Sequence, residues 1–154
     1  MSQTNIRLEQ LGITLPDQDR KGTGAVDAVL CGNLLYISAH YPVDAQGNPV
    51  YVGKLGAELT VEEGYEAAKL CGINMLSTIK QYIGDLDRVD YFVKVLGLVN
   101  SAGDFSSQPA VINGFSDLMV QVFGRRGQHT RAAMGAYALP KNMPVSIDAI
   151  VRVR

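Results

Sequence analysis

This sequence contains no recognisable catalytic motif, and its first candidates for chemistry are two histidines and two cysteines. His40 and His129 are the only histidines in the chain, and two imidazoles could supply the general acid and base that a nuclease needs. Cys31 and Cys71 form neither a CxxC pair nor a disulfide framework, and these scattered residues predict no metal site. The structural alternative is that the histidines are polar loop residues and the cysteines small buried hydrophobes.

Arg131 is the most informative polar residue because it lies in a strand-like segment of small residues. The side chains that share its face of a strand are Ala133, Gly135 and Tyr137. The two small residues leave a hollow beside the guanidinium, which binds carboxylates through paired hydrogen bonds and keeps its charge at any working pH. The spacing therefore predicts a carboxylate-binding site. The alternative is a structural ion pair with Asp148 or with a glutamate.

Two long helices are predicted to position these residues. Thr60 and Glu63 have the spacing of a capping box, and apolar residues then recur at helical spacing until Gly84 ends the run. The second helix begins near Pro109, where a missing N–H is harmless, and Gly124 ends it. A short helix over residues 5–12 and a link over residues 16–24 precede them.

Five strands complete the pattern. They are predicted over residues 25–31, 34–38, 89–99, 130–138 and 145–153. The first two are joined by the turn dipeptide Gly32-Asn33, and the last alternates between apolar and polar residues. The element order predicts an α+β fold with a mixed sheet and two helices packed on one face. The other face also carries apolar residues, so another subunit is expected to cover it.

Composition bounds the function further. A length of 154 residues argues for one domain, with residues 1–24 as a helix and linker ahead of the main part, 25–154. Charged residues make up 19% of the chain, below the typical quarter, which favours surface buried between subunits. A net charge of −1 offers no field for nucleic acid. No apolar run is long enough for a membrane span, and no signal peptide is visible, so the cytoplasm is the expected compartment.

Several segments resemble the RidA/YjgF family of small homotrimeric imine deaminases, whose members are also labelled endoribonuclease L-PSP. The matching segments are CGNLLYIS at residues 31–38, LDRV at 86–89, Asn113, TRAA at 130–133, LP at 139–140 and IDAI at 147–150. The resemblance runs from about Ala25 to the end and indicates a longer, divergent branch. It implies a chorismate-mutase-like fold and a homotrimer with ligand clefts between subunits, with neither cofactor nor metal.

The resemblance also implies a reaction and a set of site residues. In the family an arginine holds the carboxylate of a 2-imino acid, and Arg131 takes that position. Ser38, the backbone of Ala39 and of Ala133, and Asn113 would line the same cleft. The implied reaction is attack of water on the carbon of an imine or enamine, which gives a 2-keto acid and ammonia.

The sequence departs from the best-known deaminases at several positions. Those proteins carry a tyrosine near Ala25, Gly-Gln after the Ser38 position, a cysteine at Ala133 and a glutamate at Ser146. That glutamate orients the attacking water, whereas Ser146 could hydrogen-bond a water but is a much weaker base. His40 is a candidate to replace the missing polar group in the cleft.

Three functional hypotheses follow. The first is a cofactor-independent imine deaminase that acts on a small carboxylated substrate. The second is a non-catalytic trimer that binds small carboxylate metabolites such as 2-keto acids, which the absence of an acid at Ser146 favours. The third is a ribonuclease or translation inhibitor, supported only by the two histidines and by Arg125 and Arg126. The net charge and the lack of tryptophan argue against RNA.

Overall fold

The predicted helices and strands are present in a computed structural model of the chain, which describes residues 2–17 and 24–154. The helices are α1 (Gln3–Gln10), α2 (Val61–Ile83) and α3 (Gln108–Phe123). The strands are β1 (Ala28–Cys31), β2 (Leu34–His40), β3 (Val89–Asn100), β4 (Thr130–Ala136) and β5 (Val145–Val153). Single 3-10 turns lie at Leu86–Arg88, Gly124–Gly127 and Pro140–Asn142. Most of the predicted link, residues 16–24, lies outside the described residues.

The five strands form one mixed sheet in the order β1-β2-β5-β3-β4. The pairs β1–β2, β2–β5 and β3–β5 are antiparallel, whereas β3 and β4 are parallel. The parallel pair is joined through α3, as a parallel connection requires a crossover rather than a tight turn. This layout confirms the predicted α+β class and leaves β4 at one edge of the sheet.

The long helix α2 forms as its capping box predicts. Thr60 Oγ1 accepts a hydrogen bond from the Glu63 N–H at 3.2 Å, and Glu63 Oε2 accepts one from the Thr60 N–H at 2.8 Å. Gly84 ends the helix with a φ of +82°, a conformation that favours glycine. Two further glycines let α2 and α3 approach closely, because a Cβ at Gly72 would lie 2.8 Å from Leu118, and one at Gly114 1.9 Å from a backbone oxygen of α2.

Both long helices pack on one face of the sheet and leave the other face open. The helix side buries the inward set of β5, as its alternation predicts: Val145, Ile147, Ala149, Val151 and Val153. The open face carries Tyr36, Leu96, Leu98, Met134 and Ile150, of which Met134 is 56% exposed. An apolar open face is therefore present in the single chain. Its cover by another subunit stays a prediction.

The strand boundaries differ from the prediction in one place that affects the site. β4 ends at Ala136, where its carbonyl accepts a hydrogen bond from the Ser101 N–H beyond the end of β3. The two-residue alternation therefore stops before Tyr137, which is 92% exposed. The expectation that Tyr137 shares the face of Arg131 was wrong for this reason.

The N-terminal helix α1 docks onto the body of the fold. Leu8 is buried in the hydrophobic core, and the Asp87 carboxylate accepts hydrogen bonds from the backbone N–H groups of Gln3 and Thr4 at 2.7 Å each. A carboxylate at a helix N-terminus is favoured by the unpaired N–H groups there. Within the two described ranges, no helix is both long and apolar enough to cross a membrane.

Candidate functional site

Arg131 lies on the edge strand β4, and its side chain reaches helix α3. Arg131 pairs with Val95 in β3, a buried residue on the helix side of the sheet. Its Nη1 donates hydrogen bonds to Asn113 Oδ1 at 2.8 Å and to Ser116 Oγ at 3.1 Å. Asn113 and Ser116 are three residues apart on α3 and so share one helix face. The helix therefore holds the guanidinium through two neutral oxygen atoms.

The Nε/Nη2 edge of the guanidinium donates no hydrogen bond to a described residue. Nε and Nη2 of Arg131 carry three N–H groups, and none of them donates to a described residue. Nor does any described carboxylate lie within ion-pair distance of Arg131. The Nε/Nη2 edge presents two parallel N–H groups, which is the geometry that receives a carboxylate. Arg131 is thus a positioned cation with a donor edge open to a ligand.

The predicted alternative, an ion pair with Asp148, does not form. Leu96 of β3 pairs with Asp148 on one side and with Ala132 on the other. Paired residues point to the same face of a sheet, so Asp148 shares the face of Ala132, opposite to that of Arg131. Asp148 instead lies half-buried on the open face, and burial raises the pKa of its carboxyl group.

His129 is hydrogen-bonded to the same serine as Arg131. Its Nδ1 lies 2.7 Å from the carbonyl oxygen of Gly127, and its Nε2 lies 2.9 Å from Ser116 Oγ. Because a carbonyl can only accept, the neutral ring carries its proton on Nδ1, and Nε2 accepts from the Ser116 hydroxyl. Burial lowers the pKa of His129, the hydrogen bond to the Gly127 carbonyl partly offsets this, and the positive charge of Arg131 lowers the pKa further.

These groups line a surface cavity with a volume of about 350 Å³. Its lining residues are Ser116, Val120, Gln128, His129 and Arg131. The sequence analysis predicted the hollow beside Ala133 and Gly135 instead. Ala133 packs against the core, and a Cβ at Gly135 would lie 3.2 Å from Gln108 Nε2. The space beside Arg131 therefore opens toward α3 and His129 and not along β4.

Two of the other predicted site residues, Ser38 and Ser146, lie on the opposite face of the sheet from Arg131. Ser38 donates its hydroxyl proton to the Val26 carbonyl at 2.6 Å and lines a cavity of about 300 Å³ with Asp148 on the open face. Ser146 is buried on the same face and pairs with Leu98 of β3, whereas Ala39 lies in the irregular part of β2 between Ile37 and His40. Strands β2 and β4 are three spacings apart, or about 14 Å. One chain alone therefore does not bring Ser38 and Arg131 together.

His40 is neither a cleft residue nor a loop residue in this chain. It is fully buried, and its Nε2 lies 2.8 Å from Thr78 Oγ1 on α2 while its Nδ1 lies 2.7 Å from the Ser38 carbonyl. The register between β2 and β5 shifts between Ile37 and His40. Such a bulge re-aims the side chains that follow it. His40 therefore joins the sheet to α2, which corrects its prediction as a cleft group.

The cysteines are in different environments and do not join the site. Cys71 is fully buried in the core, where burial raises the pKa of its thiol, and Cys31 is exposed at the end of β1. Among residues 2–17 and 24–154, no three His, Cys, Asp or Glu side chains are grouped so that they could hold a metal ion.

Ser116 is the site residue that the sequence reasoning missed. The available signal was its spacing of three from Asn113 on a predicted helix, together with the spacing of two that puts His129 on the strand face of Arg131. Each spacing is common on its own. Only the packing of α3 against the edge of the sheet brings the four side chains together.

The fold is that of a known family. The family model described as "YjgF/chorismate mutase-like, putative endoribonuclease" matches residues 5–150. The chain therefore belongs to this family, as the resemblance in the sequence indicated. The match includes most of α1, which lay outside the resemblance seen in the motifs.

Individual relatives match along nearly the whole chain. Protein TCP17 of Trypanosoma cruzi is 41% identical over 147 residues, which cover 95% of this chain and 91% of that protein. The crystal structure of Atu1372 from Agrobacterium tumefaciens, a protein of unknown function, is 38% identical with a TM-score of 0.89, covering 97% and 91% of the two chains. A "putative endoribonuclease" from Shewanella oneidensis is 28% identical with a TM-score of 0.92, covering 99% and 100%.

Proposed function

We propose that the protein is an imine deaminase. Arg131 holds the carboxylate of a small 2-imino or enamine acid, and the enzyme hydrolyses this substrate to a 2-keto acid and ammonia. The observation that carries the proposal is the open Nε/Nη2 edge of Arg131. A positioned guanidinium without an acidic partner is suited to a carboxylate ligand. Membership of the YjgF family is consistent with this site.

The role of Arg131 follows from the charge of the substrate. Water must approach an imine carbon that is bonded to a negatively charged carboxylate, and the guanidinium offsets that charge. A hydrogen bond to a charged group contributes roughly 1.5–3 kcal/mol, which corresponds to about one to two powers of ten in affinity or rate. Asn113 and Ser116 fix the direction of the guanidinium, which reduces the conformational freedom lost when the ligand binds.

The proposal includes a homotrimer with a cleft between subunits. The apolar open face, with Tyr36 and Met134 exposed, is a surface of the kind that a second copy covers. In such an assembly, Ser38, Ala39 and Ser146 of one copy are the candidates to complete the Arg131 site of another. Their separation from Arg131 within one chain supports this arrangement.

The test is a coupled assay of 2-keto acid release. A pyridoxal-phosphate enzyme generates 2-aminoacrylate, and the protein is added as wild type, as Arg131→Ala or as Arg125→Ala. Arg125 is exposed and outside the cavity lining, so its variant carries the same change in charge away from the site. The proposal expects release to be faster than without the protein for wild type and Arg125→Ala, and to stay near the uncatalysed rate with Arg131→Ala. Release that is equally fast with Arg131→Ala refutes the assigned role.

A second candidate function is binding without turnover. It is favoured by the absence of any described acidic side chain in the cavity lining beside Arg131. This alternative expects saturable binding of a 2-keto acid that is lost in Arg131→Ala, with no acceleration of imine hydrolysis by the wild type.

The ribonuclease hypothesis has less support in the geometry. Its mechanism needs two imidazoles at one site. His40 is fully buried between β2 and α2, whereas His129 contacts α3 beside β4. The pair is therefore divided between two parts of the fold.

A further inference from the structure

We propose that His129 links the binding of a carboxylate on Arg131 to the uptake of a proton. The imidazole becomes protonated as the ligand binds, so the site holds 2-keto acids and other small carboxylates more tightly as the pH falls. The inference rests on the proposed function, because it needs a carboxylate on the open Nε/Nη2 edge of Arg131. It requires no contact between His129 and the ligand, since the two act on each other through the charge of the guanidinium.

One serine hydroxyl joins the imidazole to the guanidinium. Ser116 Oγ lies 2.9 Å from His129 Nε2 and 3.1 Å from Arg131 Nη1. Two cationic groups held this close repel each other, which disfavours the protonated ring while Arg131 has no ligand. The imidazole also packs against the rings of Phe92 and Phe115, whose centroids lie 6.2 Å and 6.1 Å from its own. Burial by these rings and the guanidinium charge therefore hold the pKa of His129 below 6.5 in the free protein.

The hydrogen bonds around His129 accommodate both of its protonation states. The Gly127 carbonyl oxygen lies 2.7 Å from Nδ1 and accepts from this nitrogen in the neutral ring and in the cation alike. Ser116 donates to Nε2 of the neutral ring, and it would accept from Nε2 of the cation once its hydroxyl group turns. The serine oxygen has two lone pairs, which suffice to accept from the imidazolium and from Arg131 together. A proton can therefore be taken up without breaking the bond that positions Arg131.

Arg131 is the charge that governs the protonation of this histidine. Other charged residues lie on the elements around His129, which are β3, α3 and the 3-10 turn before it: Asp90, Lys94, Asp117, Arg125 and Arg126. Asp90 forms an ion pair with Arg152 at 2.8 Å. Asp117 accepts a hydrogen bond from the Tyr65 hydroxyl at 2.7 Å, and Arg126 donates to a backbone carbonyl of β3 at 2.6 Å. Lys94 lies on the open face of the sheet, and Arg125 is exposed. Among the described residues, the charge that acts on the pKa of His129 is that of Arg131.

A carboxylate on the far edge of Arg131 reverses this electrostatic effect. Its negative charge offsets the guanidinium and favours the protonated ring, so the pKa of His129 rises when the ligand binds. Linkage is reciprocal, so the protonated protein binds the carboxylate more tightly by the same factor. At a separation of about 8 Å, that factor is about 2 in water and about 30 at an effective dielectric of about 20. Because Ser116, His129 and Arg131 are all partly buried, we expect an intermediate factor of about 5.

Two measurements follow the ligand and the proton in the same protein. Calorimetry gives the Kd of 2-oxobutyrate, whose carboxylate stays ionised from pH 5 to pH 8. We expect a Kd about 5-fold lower at pH 5 than at pH 8. Proton NMR follows the imidazole resonances, which come from only two histidines, His40 and His129. Saturating 2-oxobutyrate should shift the midpoint of the His129 titration to higher pH, whereas the His40 resonance, from a ring held between β2 and α2, is the internal control.

Two variants separate the charge of the ring from its packing. His129→Gln keeps a neutral group that can accept from Ser116 but takes up no proton, so its Kd should stay near the wild-type value at pH 8 throughout the pH range. Arg131→Gln removes the neighbouring charge, so the midpoint of the His129 titration should rise in the free protein. If either variant proves unstable by its melting temperature, the titration of the wild type with and without ligand decides the question.

The outcomes distinguish this inference from the proposed function. A Kd that is equal at pH 5 and pH 8, or a His129 titration that saturating 2-oxobutyrate does not shift, overturns the inference and leaves the proposed function intact. The same pH dependence in His129→Gln as in wild type also overturns it. Proton-linked binding without any turnover of imine supports the inference and refutes the deaminase activity. Absence of 2-oxobutyrate binding at every pH overturns the inference together with the carboxylate site on which it rests.

Discussion

Replacing Asn113 by aspartate should weaken carboxylate binding without disturbing the geometry of the site. The side chains are nearly isosteric, and the new carboxylate oxygen would stand where Asn113 Oδ1 now accepts from Arg131 Nη1 at 2.8 Å. The guanidinium would keep its position, and its hydrogen bond would be strengthened by the charge. A carboxylate ligand on the opposite Nε/Nη2 edge would bind more weakly, because the new aspartate charge would partly neutralise the charge of Arg131.

The expected loss of ligand affinity follows from the distance between the new aspartate charge and the ligand carboxylate, which lie on opposite sides of the guanidinium. A carboxylate on the Nε/Nη2 edge lies about 7 Å from the new charge, so the repulsion is about 2.4 kcal/mol at an effective dielectric of about 20 and about 0.6 kcal/mol in water. These limits correspond to a loss of affinity of about 3-fold to 60-fold. Because Arg131 is partly buried, we expect about 10-fold.

Calorimetric titration with 2-oxobutyrate measures the effect. Asn33→Asp is the matched control, because Asn33 is exposed in the β1–β2 turn at the opposite edge of the sheet and its variant adds the same charge. The loss in Asn113→Asp should shrink as salt is raised, since the Debye length is about 10 Å at 0.1 M. Equal affinity of Asn113→Asp and Asn33→Asp would refute the placement of the ligand on Arg131.

Two further predictions concern the scaffold and its response to pH. Gly114→Ala should lower the free energy of unfolding by about 3 kcal/mol, because its Cβ would lie 1.9 Å from the Tyr65 carbonyl oxygen and overpacking costs typically 1–3 kcal/mol or more. The control in thermal unfolding is Gly103→Ala, because position 103 has open space around it. Equal melting temperatures of the two variants would contradict this packing of Gly114. Burial raises the pKa of Asp148 above 3.8, so the folded state holds the proton more tightly and stability falls as pH rises through that window. Asp148→Asn should therefore be more stable than wild type in urea at pH 7, with the difference vanishing near pH 3. Equal unfolding midpoints of the two proteins at pH 7 would contradict this cost of burying the carboxylate.

The elements of the fold could be predicted from the sequence where local chemistry determines them. The capping box at Thr60 and the glycine at Gly84 mark the ends of α2 through hydrogen bonds between near neighbours in the chain. The alternation in β5 likewise identifies its buried face, because a strand reverses its side chains at every residue. These signals depend on short stretches of sequence, and the structure confirms them.

The candidate site depends on pairing between strands, which alternation within one strand does not reveal. Whether Arg131 shares a face with Asp148 is decided by the register of β3 with both β4 and β5. The bulge before His40 turns that side chain into the core, and no local signal marks it. Ser116 joins the site only because α3 packs beside β4, which is a long-range contact.

A crystal structure of the protein with 2-oxobutyrate tests the central claim most directly, because it shows where a carboxylate binds. The account predicts both carboxylate oxygens within hydrogen-bond distance of Nε and Nη2 of Arg131, with Asn113 and Ser116 still bound to Nη1. A ligand bound at the open face beside Ser38 and Asp148, with the Arg131 edge empty at saturating concentration, would contradict it.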